Sequence, residues 1–369
     1  MRPAFSSTRQ AAAFALLLLV VLLAPAFAGR KFLPPREEIY SSIWWANGDF
    51  PYMDGQMFRE RGGIDIIFMG SSHIWAAFNT PYVQEELAKQ TGQRATVRTF
   101  GWGGPGYDEV YFVAKDLLEH RKLRLLVIDD DFNESDRPHL LAAKMFRQGD
   151  NAPDVEGLPA WLRAQYYSAA VAGMPRNLLS LARTNLPADL KASSYWEIHS
   201  RAESIPDQLG AITARIGFRS SPQAAPESFT NYVPETDIEP RAVCFLSPAT
   251  RASFSFTKAG LPPMQLYFAQ KLAALAKEHD CRLVVVHVPT FDERRAPFIS
   301  TPVYWPEALD GDVVMLGIPP TTMFQGLADD EIRELYSDSV HLNENGQNYF
   351  TKLMTPALLN IYESKNQNP

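Results

Sequence analysis

The stretch Ile64-Asp65-Ile66-Ile67-Phe68-Met69-Gly70-Ser71-Ser72-His73 decides how this chain is interpreted. Its apolar run, interrupted once by Asp65, is typical of a strand that is buried on both faces of a parallel sheet. Gly70 allows a sharp turn after that strand, and the residues that follow suit a loop entering a helix. Open α/β sheets place their chemistry at the carboxyl ends of the strands. Ser72 is therefore the first candidate functional residue.

Strands and helices alternate on both sides of this stretch. The pattern predicts strands over 64–70, 95–100, 123–128, 282–288 and 313–318, and helices over 81–90, 107–120, 263–279 and 344–362. A strand–helix–strand alternation at this spacing indicates an α/β fold with a parallel sheet and right-handed crossovers.

The alternation is interrupted in the middle of the chain. Residues 135–258 show no strand–helix rhythm, and a segment of that length is too long for a loop within a compact domain. We therefore predict an inserted cap subdomain over 135–258, which divides one α/β domain into residues 64–134 and 259–369. Residues 29–63 are predicted to be a lead-in segment.

The N-terminus has the layout of a targeting segment. Arg2 and Arg9 precede the uncharged apolar run 11–28, which ends in Ala26-Phe27-Ala28. A charged start, an apolar centre and an A-x-A site predict a cleavable signal peptide over 1–28. An uncleaved membrane anchor is the alternative, because the run is near the lower length limit for crossing a bilayer. Both interpretations predict export to a periplasmic or extracellular location.

Composition and charge limit the function classes. The chain has 369 residues, of which 46% are hydrophobic, so there is ample material for a core. A formal net charge of −7 without a Lys/Arg run argues against nucleic acid as a partner. The two cysteines, Cys244 and Cys281, allow either one disulfide or two separate buried thiols, and they are too far apart in sequence to favour a metal site.

A catalytic serine needs a base to take its proton and a third group to orient that base. Asp338 and His341 stand three residues apart, just before the last predicted helix, and on a turn they can lie side by side. The oxyanion that forms during acyl transfer needs hydrogen-bond donors. The candidates are the backbone N–H of Ser72, the backbone N–H of Gly104 and the side-chain amide of Asn133.

Four sequence blocks in this order resemble the SGNH (GDSL) hydrolase superfamily. Gly70-Ser71-Ser72 resembles its nucleophile block, with Ser71 where an aspartate is usual. Thr99-Phe100-Gly101-Trp102-Gly103-Gly104 resembles its glycine block, Asp131-Phe132-Asn133-Glu134 resembles its Gly-x-Asn-Asp block with Asp for Gly and Glu for Asp, and Asp338-Ser339-Val340-His341 matches its Asp-x-x-His block without change.

The resemblance implies a three-layer α/β/α, flavodoxin-like fold and a Ser72–His341–Asp338 triad. It further implies an oxyanion hole formed by Ser72, Gly104 and Asn133, and no metal or organic cofactor. The Gly-Ser-Ser variant resembles a branch of exported proteins that handle acyl groups on cell-surface polymers. The expected function is therefore that of a serine esterase or O-acyltransferase acting on acyl esters, with acetyl the leading choice, of a surface glycan. A membrane acyltransferase is an expected partner.

A non-catalytic function is the first alternative. The chain would then be an inactive scaffold that binds a glycan or a membrane acyltransferase. Aromatic residues in the insert suit stacking on sugars as well as they suit an ordinary core: Trp161, Tyr166, Tyr167 and Trp196. The neighbour of the nucleophile, His73, is not expected to act as the base, because adjacent residues on a turn rarely face the same point.

A Mg²⁺-dependent phosphatase is the second alternative. Asp129-Asp130-Asp131 follows a predicted strand and resembles the first motif of haloacid-dehalogenase-type phosphatases, although Asn133 stands where a threonine or valine is expected. The interpretation that we favour for Asp129 and Asp130 is a solvent-exposed strand end.

Overall fold

The structure is a computed structural model that describes residues 5–27, 35–43, 50–131, 136–184, 244–245, 261–295, 313–318 and 320–367. Contacts between residues divide the chain into two compact units. One unit comprises residues 1–43 and 137–199, and the other comprises residues 44–136 and 200–369. The predicted lead-in 29–63 is thus divided between the two units, and part of the predicted insert groups with the N-terminal residues.

The described helices and strands are as follows. The helices are α1 (Thr8–Phe27), α2 (Arg36–Ser42), α3 (Phe50–Asp54), α4 (Ser72–Ala77), α5 (Thr80–Thr91), α6 (Tyr107–His120), α7 (Leu140–Met145), α8 (Gln148–Val155), α9 (Ala160–Thr184), α10 (Pro263–Glu278), α11 (Pro320–Met323), α12 (Asp329–Arg333) and α13 (Glu344–Gln367), with a π-helical turn at Gly55–Arg59 and a 3₁₀ turn at Phe291–Glu293. The strands are β1 (Ile64–Gly70), β2 (Val97–Gly101), β3 (Leu123–Asp129), β4 (Cys244–Phe245), β5 (Arg282–Val286) and β6 (Val313–Gly317).

A mixed sheet forms the centre of the larger unit, with strand order β2-β1-β3-β5-β6-β4 among the described residues. Strands β2, β1, β3, β5 and β6 are parallel, and β4 pairs antiparallel to β6 at the edge. The inner strands β1 and β3 are almost wholly buried, as expected for apolar runs covered on both faces. The predicted α/β fold with a parallel sheet is confirmed.

Helices cover the sheet and form the outer layers. Helix α6 packs against α10, whereas α13 packs against α4 and α5. Helix α6 follows the predicted bounds because its apolar residues recur at helical spacing and Gly106 ends the preceding loop. Helix α5 begins after Asn79, whose side chain accepts the Tyr82 N–H, and ends at Gly92 in the left-handed conformation. The arrangement is consistent with the expected three-layer α/β/α fold.

The smaller unit is helical in its described part. Helix α9 is continuous and contacts α1, α2, α7 and α8. Tyr166 on α9 is fully buried and lies 5.4 Å from Phe146 between ring centroids, so it belongs to the core of this unit. Trp161 on the same helix is 53% exposed, while Trp196 lies outside the described residues. A search of the described helices finds none with the length and apolar character needed to cross a membrane.

Cys281 contributes a thiol and not half of a disulfide, within the part of the chain that the structure describes. Its Sγ lies 3.8 Å from the Arg282 carbonyl oxygen, and the side chain is buried. Of the two interpretations of the cysteines, the disulfide is wrong. Cys244 pairs with Gly317 in the antiparallel edge strand.

Candidate active site

Strand β1 leads directly into the candidate nucleophile. It ends at Gly70, and α4 begins at Ser72, with the Ser71 hydroxyl accepting the His73 N–H at 3.1 Å as the helix cap. Gly70 has a φ of +154°, and a Cβ added there would lie 2.5 Å from Oδ1 of Asp129. Only glycine fits this turn, which places Ser72 in the first turn of α4 at the carboxyl edge of the sheet.

The structure brings Ser72, His341 and Asp338 together in one hydrogen-bonded chain. Ser72 Oγ lies 2.9 Å from His341 Nε2, although the two residues are 269 positions apart in sequence. On the other side of the ring, His341 Nδ1 lies 2.7 Å from Oδ2 of Asp338. Because an ionised carboxylate only accepts hydrogen bonds, the proton of a neutral ring is on Nδ1, which leaves Nε2 to accept from the Ser72 hydroxyl. This is the geometry of an activated serine.

The Asp338 carboxylate is held in its charged form. Partial burial raises the pKa of Asp338, but hydrogen bonds from the His341 backbone N–H, the His341 ring and the Val340 backbone N–H outweigh it and lower that pKa overall. Both backbone bonds measure 2.7 Å at Oδ1. The carboxylate thus orients His341 and is available to stabilise an imidazolium.

Two of the three predicted oxyanion donors, Ser72 and Gly104, lie in the described part of the chain. Ser72 lies in the first turn of α4, where backbone N–H groups have no partner within the helix. Gly104 lies in the loop that follows β2, with a left-handed φ of +85°. Gly70 pairs with Gly101 in the sheet, so this loop starts at the same sheet edge as Ser72. Asn133 lies outside the described residues.

His73 contacts the loop that carries the base. Its Nε2 lies 2.8 Å from the Val340 carbonyl oxygen and donates a hydrogen bond to it. Burial lowers the pKa of His73 to about 4, so the ring is neutral over the physiological range. Its centroid is 6.2 Å from that of His341. The expectation that His73 is not the base is consistent with this position, and its visible role is to hold Val340 beside α4.

The interpretation of Asp129 and Asp130 as a solvent-exposed strand end is wrong. The two residues are only 2% and 4% exposed. The Ser71 backbone N–H and hydroxyl both bond Oδ2 of Asp129, whereas Oδ2 of Asp130 lies 2.8 Å from Nδ1 of His287. The residues are buried because Ser71 and His287 supply hydrogen-bond partners that the local sequence does not show. Ser71 directly follows β1 and His287 directly follows β5, the two strands that flank β3.

Asp129 gives a test of this buried environment. Burial raises the pKa of Asp129 well above its ordinary value of 3.8. A carboxyl whose pKa is higher in the folded state than in the unfolded state lowers stability as the pH rises from its ordinary pKa to its raised folded pKa. We expect Asp129→Asn, which keeps an acceptor for Ser71, to raise the melting temperature at pH 8 and to leave it nearly unchanged at pH 4.

The comparison is made by differential scanning calorimetry at both pH values. Asp129→Ala serves as the matched control, because it removes the charge and also the acceptor for Ser71. A lower melting temperature for Asp129→Asn than for the wild type at pH 8 would contradict the assignment of a raised pKa.

The aspartate run does not converge on one cation position. Asp129 bonds Ser71 on one side and Asp130 bonds His287 on the other. Among the described residues, no group of three histidine, cysteine, aspartate or glutamate side chains is arranged to hold a metal ion.

Several polar residues near the site were given no role beside the triad on sequence grounds. Asp129, Asp130, His287 and Glu293 all lie at or just beyond the carboxyl ends of β3 and β5. The sequence did carry a signal for these residues: a charged residue directly after an apolar strand lies at the sheet edge where α/β proteins place functional groups. His287 in particular interrupts the apolar run 283–288.

Comparison of the chain with protein-family models gives no match, and no curated protein matches it significantly. Function is therefore inferred from two observations. One is the resemblance of four sequence blocks to the SGNH hydrolases. The other is the hydrogen-bonded chain of Ser72, His341 and Asp338.

Proposed function

We propose that this protein is an exported SGNH-type serine esterase or O-acyltransferase. The observation that carries the proposal is the continuous chain from Ser72 Oγ through the His341 ring to the Asp338 carboxylate. A serine that merely caps a helix does not need a histidine at 2.9 Å whose second nitrogen bonds a carboxylate. The residue types, their order and their distances all suit nucleophilic acyl transfer.

In the first half of the reaction, Ser72 Oγ attacks the carbonyl carbon of an acyl ester. His341 Nε2 takes the hydroxyl proton as the new C–O bond forms, and Asp338 stabilises the resulting imidazolium. The oxyanion faces the backbone N–H groups of Ser72 and Gly104, with Asn133 as the third expected donor. The tetrahedral intermediate then collapses, and the leaving alcohol takes the proton from His341. An acyl group remains on Ser72.

In the second half, a hydroxyl group attacks the acyl-serine. His341 now removes a proton from water or from a sugar hydroxyl and then gives it to Ser72 Oγ as the acyl C–O bond breaks, so that the acyl group leaves as a free acid or as a new ester. Water makes the protein an esterase, and a sugar hydroxyl makes it an O-acyltransferase. Neither half-reaction requires a cofactor.

The substrate class follows from the sequence resemblance and the N-terminus. The Gly-Ser-Ser form of the nucleophile block and the targeting layout of residues 1–28 support an exported protein that acts on a cell-surface glycan. Acetyl is the proposed acyl group. A membrane acyltransferase is the proposed partner, and the apolar run 11–28 is a proposed point of membrane association.

Labelling with a fluorophosphonate probe tests the activated serine. We expect the purified protein to be labelled, because Ser72 Oγ attacks phosphorus and displaces fluoride only when His341 takes its proton. Ser72→Ala should abolish the labelling, and peptide mass spectrometry should locate the adduct on Ser72. Ser168→Ala is the matched control, since Ser168 lies exposed on α9 and should label as the wild type does.

Two results would count against the proposal. Labelling that persists in Ser72→Ala would place the reactive residue elsewhere. A well-folded wild type that is neither labelled nor active on p-nitrophenyl acetate, but that binds an acetylated glycan, would favour the inactive scaffold.

A further inference from the structure

A further buried histidine, His287, contacts Asp130 at the end of β3. His287 follows β5, and its ring is placed between two carboxylates. Nδ1 lies 2.8 Å from Oδ2 of Asp130, and Nε2 lies 3.5 Å from Oε2 of Glu293. All three side chains are largely buried, with exposed fractions of 7% for His287, 6% for Asp130 and 17% for Glu293. A buried ionic group of this kind needs either full pairing or a function.

The Glu293 end of this cluster shapes a short turn. Oε2 of Glu293 accepts the Thr290 backbone N–H at 2.8 Å and the Thr290 hydroxyl at 3.1 Å, which caps the 3₁₀ turn Phe291–Glu293. The same Glu293 oxygen thus faces Thr290 on one side and, at the longer ion-pair distance of 3.5 Å, the His287 ring on the other. The position of the turn therefore depends on where His287 holds Glu293.

That turn supports the loop that carries Asp338 and His341. The Phe291 backbone N–H donates to the Ser339 carbonyl oxygen at 3.0 Å, and the Tyr336 hydroxyl donates to the Pro289 carbonyl oxygen at 2.6 Å. Ser339 lies between the two triad members in sequence. A displacement of the turn would therefore move the base relative to Ser72, and a displacement of 1 Å is enough to slow catalysis strongly.

The charge of the cluster supports this arrangement. Burial lowers the pKa of His287, but Asp130 and Glu293 outweigh it and raise that pKa to about 10. His73 also faces this region from α4, and it is neutral. The imidazolium of His287 is therefore charged near pH 7, donates from Nδ1 to Asp130 and forms a longer ion pair with Glu293 through Nε2.

We propose that His287, held by Asp130, is a positioning residue that sets the His341 base through Glu293, the Phe291 turn and the Ser339 carbonyl. This role rests on the proposed acyl-transfer function of Ser72. Of the residues between His287 and His341 in this chain of contacts, only Ser339 belongs to one of the four sequence blocks.

The test is His287→Asn, which keeps a donor near the Nδ1 position for Asp130 but cannot reach Glu293. We expect kcat for p-nitrophenyl acetate to fall about 10–100-fold, with KM changed less than twofold, because geometry and not binding is disturbed. His120→Asn is the matched control, since His120 lies at the exposed end of α6 and should leave both constants unchanged. Glu293→Gln keeps an acceptor for Thr290 but removes the charge that faces His287, and it should also lower kcat. This variant tests the proposal if His287→Asn does not fold.

A second readout does not depend on turnover. Hydrogen exchange of the Phe291 and His341 amides should become at least tenfold faster in His287→Asn, while amides within β1 stay unchanged. Because the folded pKa of His287 lies above its ordinary value of 6.5, the stability it contributes is complete below pH 6.5 and is lost as the pH rises through about 10. The wild type should therefore lose stability over that interval, and His287→Asn should lose less.

The outcomes separate the two proposals. Unchanged kcat and unchanged exchange in both variants would overturn the positioning role. A lower melting temperature with an unchanged kcat below that temperature would show a purely structural ion pair and would overturn it as well. If the wild type has no turnover but the exchange differences appear, the proposed function fails while the positioning of the His341 loop stands.

Discussion

His341→Ala should lower kcat for ester hydrolysis by on the order of 10⁴–10⁶-fold, the range found when a serine hydrolase loses its base. Without the ring, no group accepts the Ser72 proton at the 2.9 Å distance that the structure shows. The fold should tolerate the change, because the His341 side chain is 20% exposed. The backbone bonds from the Ser337 N–H to the His341 carbonyl and from the Phe291 N–H to the Ser339 carbonyl do not involve the ring. Hydrolysis of p-nitrophenyl acetate and fluorophosphonate labelling measure the loss.

The control for this prediction is His120→Ala. His120 is the last residue of α6, and its Nδ1 lies 2.7 Å from the Asp116 carbonyl oxygen, remote from Ser72 in the sheet topology. Activity should remain within twofold of the wild type. If His341→Ala retained wild-type turnover, the base would be another residue and the triad assignment would be withdrawn.

Gly101→Ala should destabilise the protein by at least about 2 kcal/mol, toward the upper part of the range for inserting a methyl group into a packed core. A Cβ at Gly101 would lie 2.1 Å from Cγ and 2.4 Å from Cβ of Trp75. Trp75 is 1% exposed, so the indole has no open space to enter. Because Trp75 belongs to α4, the helix that begins at Ser72, the displacement should also slow fluorophosphonate labelling. Urea denaturation gives the free energy of unfolding.

Gly149→Ala is the matched control for the substitution itself. An added Cβ at Gly149 meets nothing within 4 Å, and the residue lies in α8 without a positive φ. Alanine there should be neutral or should stabilise the protein by up to about 1 kcal/mol. A Gly101→Ala variant that unfolds at the same urea concentration as the wild type would show that Trp75 can move, which would contradict the close approach of β2 and α4.

The contacts that lie close in sequence were predictable from residue patterns. Strand β1 and helix α6 follow the predicted bounds, because an apolar run that ends at Gly70 and the helical spacing of α6 each determine structure over fewer than about fifteen residues. The bond between Asp338 and His341 is also local, since residues three apart on a turn face each other. The last helix was predicted to end at Tyr362, but α13 continues to Gln367.

Longer-range features needed the tertiary structure. The sequence placed Ser72 and His341 on separate elements, but their 2.9 Å contact depends on how β1 and the loop before α13 meet at one edge of the sheet. Asp129 and Asp130 show why local sequence could not predict burial. In the sequence alone they resemble a solvated strand end, because neighbouring residues carry no information about partners on adjacent strands. In the fold, successive side chains leave a strand on opposite sides, so Asp129 meets Ser71 and Asp130 meets His287. The sequence by itself determined the strands, the helices and the chemical groups available. The sheet order decided which of those groups are buried together, because the burial of a charge depends on partners that only the folded chain brings into contact.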